Sequence, residues 1–140
     1  MIDTKSAPYA ATILRVSLGV LFLAHAGLKY FVFTPVGAAG FFQSLGLPGA
    51  LAYVTIAVEV VGGIALISGF FARYAAIALL PVLLGAIFFV HGSNGWLFSN
   101  ENGGWEFPVF WALALVVQAM LGNGAYALSF KNGSLGLKHA

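Results

Sequence analysis

From Gly49 to Ser68 the chain reads GALAYVTIAVEVVGGIALIS, twenty residues in which Glu59 is the single formally charged side chain. At about 1.5 Å of rise per residue, a helix of that length spans the roughly 30 Å hydrocarbon core of a bilayer. Glu59 stands near its middle, between Ala57-Val58 and Val60-Val61. A carboxylate at that depth costs about 2.5–3.5 kcal/mol to insert. Its short stem has no route to the headgroups, so it must be paired or protonated. The segment thus predicts a membrane span and a buried polar site within it.

Working outward, three more segments read as spans: a first from about Pro8 to Phe33, a third from about Ala72 to Val90 and a fourth from about Trp105 to Leu121, with 49–68 as the second. No Asp, Glu, Lys or Arg lies between Arg73 and Glu101, or between Glu106 and Lys131. Breakers fall at the ends. Thr34-Pro35-Val36-Gly37 closes the first span, Gly46-Leu47-Pro48-Gly49 opens the second, Gly69 parts the second from the third, and Gly92-Ser93-Asn94-Gly95 closes the third. Pro81 inside the third predicts a kink. Val36 to Leu45 is too short to cross and is expected along the outer interface. His91 to Glu106, rich in Gly, Asn and Trp, is expected to form a structured cap, and the residues after Asn123, including KNGSLGLKHA, to be interfacial and then frayed. No internal repeat stands out. The expected fold is a single all-α membrane domain over 1–140, a four-transmembrane-helix bundle with a short interfacial segment between the first two helices.

The whole chain agrees with this reading. Of its 140 residues 61% are apolar and 7% charged, against roughly 45–50% and 25% in soluble domains. Ten charged side chains cannot cover a water-soluble globule, and high hydrophobicity excludes disorder. The net charge of +2 arises without a basic run, which excludes a nucleic-acid interface. Cysteine is absent, so thiol catalysis, thiolate metal sites, iron–sulfur clusters and covalent haem are excluded within this chain. Neither H-x-x-x-H nor E-x-x-H spacing occurs, so no metal is expected.

Lys5, Arg15, Arg73, Lys131 and Lys138 fall toward one face and Lys29 toward the other. That bias predicts a multi-pass protein of the bacterial inner membrane with both termini cytoplasmic. A rival reading makes the first stretch a signal peptide cleaved at Ala24-His25-Ala26. Arg15 inside the apolar stretch, and the unpartnered Glu59 that cleavage would leave, favour four spans.

In such a chain the polar minority carries the information. Arg15, about two turns into the first helix, is the candidate partner of Glu59, either to fix helix register or to hold the head of a bound molecule. At 100° per residue Arg15, Gly19, Phe22, Ala26 and Lys29 form one stripe facing the bundle. His25 and Lys29 then share a wall able to hold an anionic or carbonyl-bearing ligand. The plainer readings are a buried neutral imidazole for His25 and snorkelling to the headgroups for Lys29. His91 ends the third span at the same face, so His25, Lys29, His91 and Glu106 are expected around one cavity mouth. Gly19, Gly27, Gly62 and Gly63 predict close helix approach. Arg73 is placed to bind lipid phosphate, and Gln118 to make an interhelical hydrogen bond.

Taken in order, Arg15-x3-Gly19, His25-Ala-Gly27-Leu-Lys29, Gly46-Leu47-Pro48, Glu59-x2-Gly62-Gly63, Gly69-x3-Arg73 and the NGW…NGGWEFP stretch from Asn94 to Pro108 resemble the DoxX family of small bacterial inner-membrane proteins. The likeness runs from about Tyr9 to Phe130. It implies a four-helix membrane bundle and an association with oxidoreduction, since the wider family includes DoxD subunits of thiosulfate:quinone oxidoreductase and members proposed to couple thiol or oxidative-stress systems to the membrane.

Three functions follow as expectations. One is a redox-associated subunit, an oxidoreductase or part of one by resemblance alone. It binds a quinone-like or other small apolar ligand between helices, with His25, Lys29 or Glu59 at its carbonyls. Another is an accessory protein that stabilises a membrane or envelope partner through the cap bearing Trp96 and Trp105. The third is a small transporter with buried charges along its path, although broken paired segments are absent. The oligomeric state is left open.

Overall fold

The computed structural model describes residues 3–131 and 134–138. Helix α1 runs Ala7–Gly27 and continues into a π turn, Leu28–Val32. Helix α2 is Pro35–Ser44, α3 is Ala50–Ser68, and α4 is Ala72–Ala86 followed by a second π turn, Ile87–His91. Helix α5 is Glu106–Leu121, and strands β1 (Ala127–Lys131) and β2 (Ser134–Lys138) close the chain. Three helical runs are long and apolar enough to cross a bilayer: Ala7–Val32, Ala50–Ser68 and Ala72–His91. The fourth expected segment forms an apolar helix of 16 residues, about 24 Å long.

Local chemistry sets the boundaries. Thr34 takes φ 62° and its Oγ1 accepts the Gly37 N–H at 3.2 Å, capping α2, which starts on Pro35. Gly69, at φ 75°, ends α3 in the left-handed region that glycine adopts without strain. Helix α4 runs through Pro81.

Helix α1 packs chiefly on α3 and α4 on α5, while α3 joins the pairs through α4. The expected stripe of α1 is buried as Ala11, Arg15, Leu18, Gly19, Phe22 and Ala26. A Cβ on Gly19 would stand 2.7 Å from the Gly63 carbonyl, and one on Gly62 would stand 2.7 Å from the Leu79 side chain. Gly19 and Gly63 let α1 and α3 touch backbone to backbone, while Gly62 makes room for the Leu79 side chain of α4. Gly27 does neither, since a Cβ there meets nothing closer than Phe31 at 3.9 Å. Phe22, Leu66, Leu79, Trp111 and Leu115 fill the core between them.

The all-α expectation is corrected at the C-terminus. Beyond α5 the chain forms an antiparallel hairpin pairing Ala127 with Lys138 and Lys131 with Ser134. Its signal is in the sequence: the intervening residues are Asn132-Gly133, a pair that favours tight hairpin turns. Fraying expected for residues 139–140 falls outside the described residues. Each half of the chain also repeats one order, a long helix, a π turn, a connection and a return helix, a likeness invisible in residue identities.

Candidate functional site

Glu59 is 2% exposed in the body of α3, and its partner is Lys29. The Lys29 ammonium donates to Oε1 at 2.8 Å and to Oε2 at 3.0 Å. The expected pairing with Arg15 is therefore wrong, and helix register explains why. Gly19 lies against Gly63, so in the antiparallel α1–α3 pair Arg15 is level with Ile67, eight residues or about 12 Å from Glu59. Helical side chains lean toward their own N-termini. Across an antiparallel pair this carries Glu59 and Lys29 toward each other and Arg15 away. Lys29 is thereby held by a carboxylate, and snorkelling does not describe it.

Arg15 serves a different purpose. It is 1% exposed, and its guanidinium donates to the carbonyls of Leu66 (2.9 Å), Ile67, Ala125 and Tyr126 (both 3.0 Å). The fork gathers carbonyls from the last turn of α3, where Leu66 also accepts the capping Gly69 N–H at 3.2 Å, and from the segment after α5. Gly69 makes room for it, since a Cβ there would come 2.9 Å from the Arg15 Cζ. Arg15 is a clamp between α1, α3 and the C-terminal segment.

His25 lies within electrostatic reach of Glu59. Its Nδ1 is 2.9 Å from the Leu21 carbonyl. A carbonyl only accepts, so Nδ1 carries a proton and donates it to Leu21. The ring packs against Trp111 of α5, centroids 4.8 Å apart. Trp111 also meets Phe22 at 4.6 Å and Phe107 at 5.7 Å. It is 5% exposed, and its indole N–H has no hydrogen-bond partner among the described residues. The sequence reading passed over Trp111. The available signal was a tryptophan deep in an apolar helix, carrying a donor that burial obliges to find an acceptor.

Among the described residues His91 and Glu106 share no hydrogen bond or ion pair with this group and instead build the cap. His91 Nδ1 donates to the Gly103 carbonyl at 2.9 Å, and Glu106 Oε1 accepts the Phe98 N–H at 2.7 Å. Asn94 ties the same loop to Val90, Asn102 and Gly103. Trp96 and Trp105 meet edge to face at 4.5 Å, and a Cβ on Gly104 would fall 2.3 Å from the Leu97 carbonyl. The polar connection is the structured cap its composition predicts. Gln118 is another correction: its amide donates to Gly122 within its own segment, at 2.7 Å, instead of to another helix. Among the described residues no group of three or more His, Asp or Glu side chains gathers as a metal site.

The chain matches the family model described as DoxX over residues 10–92. It is 34% identical over 129 residues to an "Uncharacterized protein" of Haemophilus influenzae, spanning 91% of this chain and 93% of that one. It is 33% identical over 124 residues to the "Putative oxidoreductase CatD" of Bacillus subtilis, spanning 89% of this chain and 87% of the relative. No solved structure matches it. With the family model covering more than half of the residues and both relatives aligned along nearly the whole length, this chain of apolar helices is a membrane protein that belongs to the DoxX family.

Proposed function

We propose that the protein is a redox-associated subunit of the bacterial inner membrane that binds a quinone-like carbonyl compound beside the Lys29–Glu59 pair. In this reading α1, α3, α4 and α5 all span, α2 lies along the outer interface, and both termini are cytoplasmic. The observation that carries it is the indole N–H of Trp111, unpartnered among the described residues, a buried donor against His25, which itself lies within electrostatic reach of Glu59. A buried donor without an acceptor costs about 1–3 kcal/mol, and a ligand carbonyl would relieve that cost. The side chain of Lys29 is 21% exposed, which leaves the pair reachable from the flank of the bundle. The oxidoreductase name of the Bacillus subtilis relative supports the redox part of the reading.

A quinone-like compound supplies reversible two-electron, two-proton chemistry when bound. The chain's own residues orient it and manage protons. The Trp111 N–H and the Lys29 ammonium donate to carbonyl oxygens, Glu59 holds Lys29 in place, and His25 Nε2 offers a proton acceptor on the same wall. No thiol is available here, so electrons come from a partner.

The test is mass spectrometry of small molecules extracted from protein purified in lipid nanodiscs, comparing wild type with Lys29→Ala, Glu59→Gln and Trp111→Phe. The last is the most informative, because phenylalanine keeps one aromatic ring in the stack and takes away the N–H together with the rest of the five-membered ring. Enrichment of a quinone-type compound that all three variants lose supports the proposal. No enrichment over empty nanodiscs, or full retention in Trp111→Phe, overturns it.

The exposed Trp96, Leu97 and Phe98 on the ordered cap favour a second reading, an accessory protein that docks a membrane or envelope partner there. Exchanging residues 93–106 should then abolish partner capture, and normal capture would remove the idea.

A further inference from the structure

Arg73, in the first turn of α4, is exposed and makes no hydrogen bond or ion pair among the described residues. It is shared by two cavities. One, of about 500 Å³, runs along the α4–α5 face past Ala76, Ile77, Leu80, Val116 and Met120. The other, of about 620 Å³, lies at the helix ends between the start of α1, Phe71 and Tyr74, and the Gly122–Gly124 turn. The first is walled by hydrocarbon and the second is half polar. An elongated groove of apolar character thus opens at its end onto a polar chamber, with a guanidinium at the junction.

The chamber is suited to an anion. A Cβ on Gly122 would stand 3.4 Å from a terminal nitrogen of Arg73, so the bare glycine lets the guanidinium lie against the turn. The N–H groups of Asn123 and Gly124 make no hydrogen bond among the described residues and are free to donate. No carboxylate lines either cavity. Of the four acids, Glu59 is paired with Lys29, Glu101 and Glu106 belong to the cap, and Asp3 turns back on the Lys5 N–H. Among the described residues nothing compensates the Arg73 charge.

We propose that Arg73 and the Gly122–Gly124 turn hold the phosphate of one anionic phospholipid whose acyl chain lies in the α4–α5 groove. From Arg73 to Leu80 the groove extends about 10 Å along the helix, enough to seat the upper part of a chain. A guanidinium binds phosphate oxygens through two parallel N–H donors, and basic pockets at the ends of membrane helices suit anionic headgroups. With no acid nearby to receive a choline or ethanolamine ammonium, the site selects net negative charge. It lies apart from the Lys29–Glu59 pair and does not rest on the function proposed for it.

The full-length protein in nanodiscs of mixed phosphatidylglycerol and phosphatidylcholine, released gently and weighed by native mass spectrometry, tests this. Wild type should retain one phosphatidylglycerol with a preference of about fivefold. Arg73→Gln should bring the preference close to one, and Arg73→Lys should keep part of it. Ala119 of α5 also lines the groove, and Ala119→Phe, which fills it, should lose the lipid. Because Arg73 is exposed, helical content by circular dichroism should be unchanged in Arg73→Gln. If it is not, the lysine and groove-filling variants decide. Unaltered preference in Arg73→Gln, retention in Ala119→Phe, or displacement by inorganic phosphate as readily as by lipid would overturn the assignment.

Discussion

Glu59 and Lys29 are two charges that stabilise each other only while both are present. Removing the ammonium in Lys29→Met leaves a carboxylate that is 3% exposed without its ion-pair partner, and breaking a buried pair from one side costs about 3–5 kcal/mol. The double variant Lys29→Met/Glu59→Gln should recover most of that loss. Denaturant titration in mixed micelles would measure the cycle, and additive single effects would show that the pair contributes no coupling. Trp111→Phe should differ in kind. It relieves the cost of an unpartnered buried donor, about 1–3 kcal/mol, but also removes the carbon of the indole's five-membered ring from the core, which costs stability through the cavity left behind. The two effects oppose, so the net change should stay well below the Lys29→Met loss even where ligand is lost.

Between elements, the close approach of α1 and α3 depends on which glycine is replaced. Gly19→Ala sets a methyl 2.7 Å from the Gly63 carbonyl and from Ile67, which forces the helices apart at a cost of about 1–3 kcal/mol. Gly27→Ala meets only Phe31, at an ordinary contact distance of 3.9 Å, and removes a flexible residue from a helix, so it should stabilise by about 0.5–1 kcal/mol. Thermal melting of the two variants in one detergent separates them, and equal shifts would contradict the packing described. The stripe of small residues was legible as a stripe. Register alone tells which of its glycines touch a neighbour.

At the scale of the molecule, the C-terminal segment is part of the bundle. Thr12 donates to the Ala125 carbonyl at 2.6 Å, the Ala125 N–H reaches Pro8 at 3.0 Å, and Arg15 holds the Ala125 and Tyr126 carbonyls. A chain ending after Gly124 takes two carbonyls from a buried guanidinium and should be far less stable than one ending after Ala127. Protease resistance of the two truncations checks this, and equal resistance would make the clamp dispensable. Topology is testable at the same scale, because the chain has no cysteine. Ser99→Cys in the cap should react with an impermeant maleimide added outside intact cells, and Thr4→Cys only after lysis.

Much of this protein was settled by its sequence. Long charge-free stretches dictate membrane helices, because burying so much hydrocarbon leaves few other outcomes, and Pro and Gly mark their ends through backbone sterics. A lone carboxylate at Glu59 announces a buried polar site for the same energetic reason. The sequence could not name its partner. Arg15 and Lys29 both lie on the correct face of α1, and the choice turned on an antiparallel register and on the lean of side chains toward helix N-termini. Trp111 could be picked out as a donor in an apolar helix, but that it lacks an acceptor is decided only once Phe22, His25 and Phe107 close around it. Composition fixes how many charges must be buried, whereas tertiary packing decides which group each one meets.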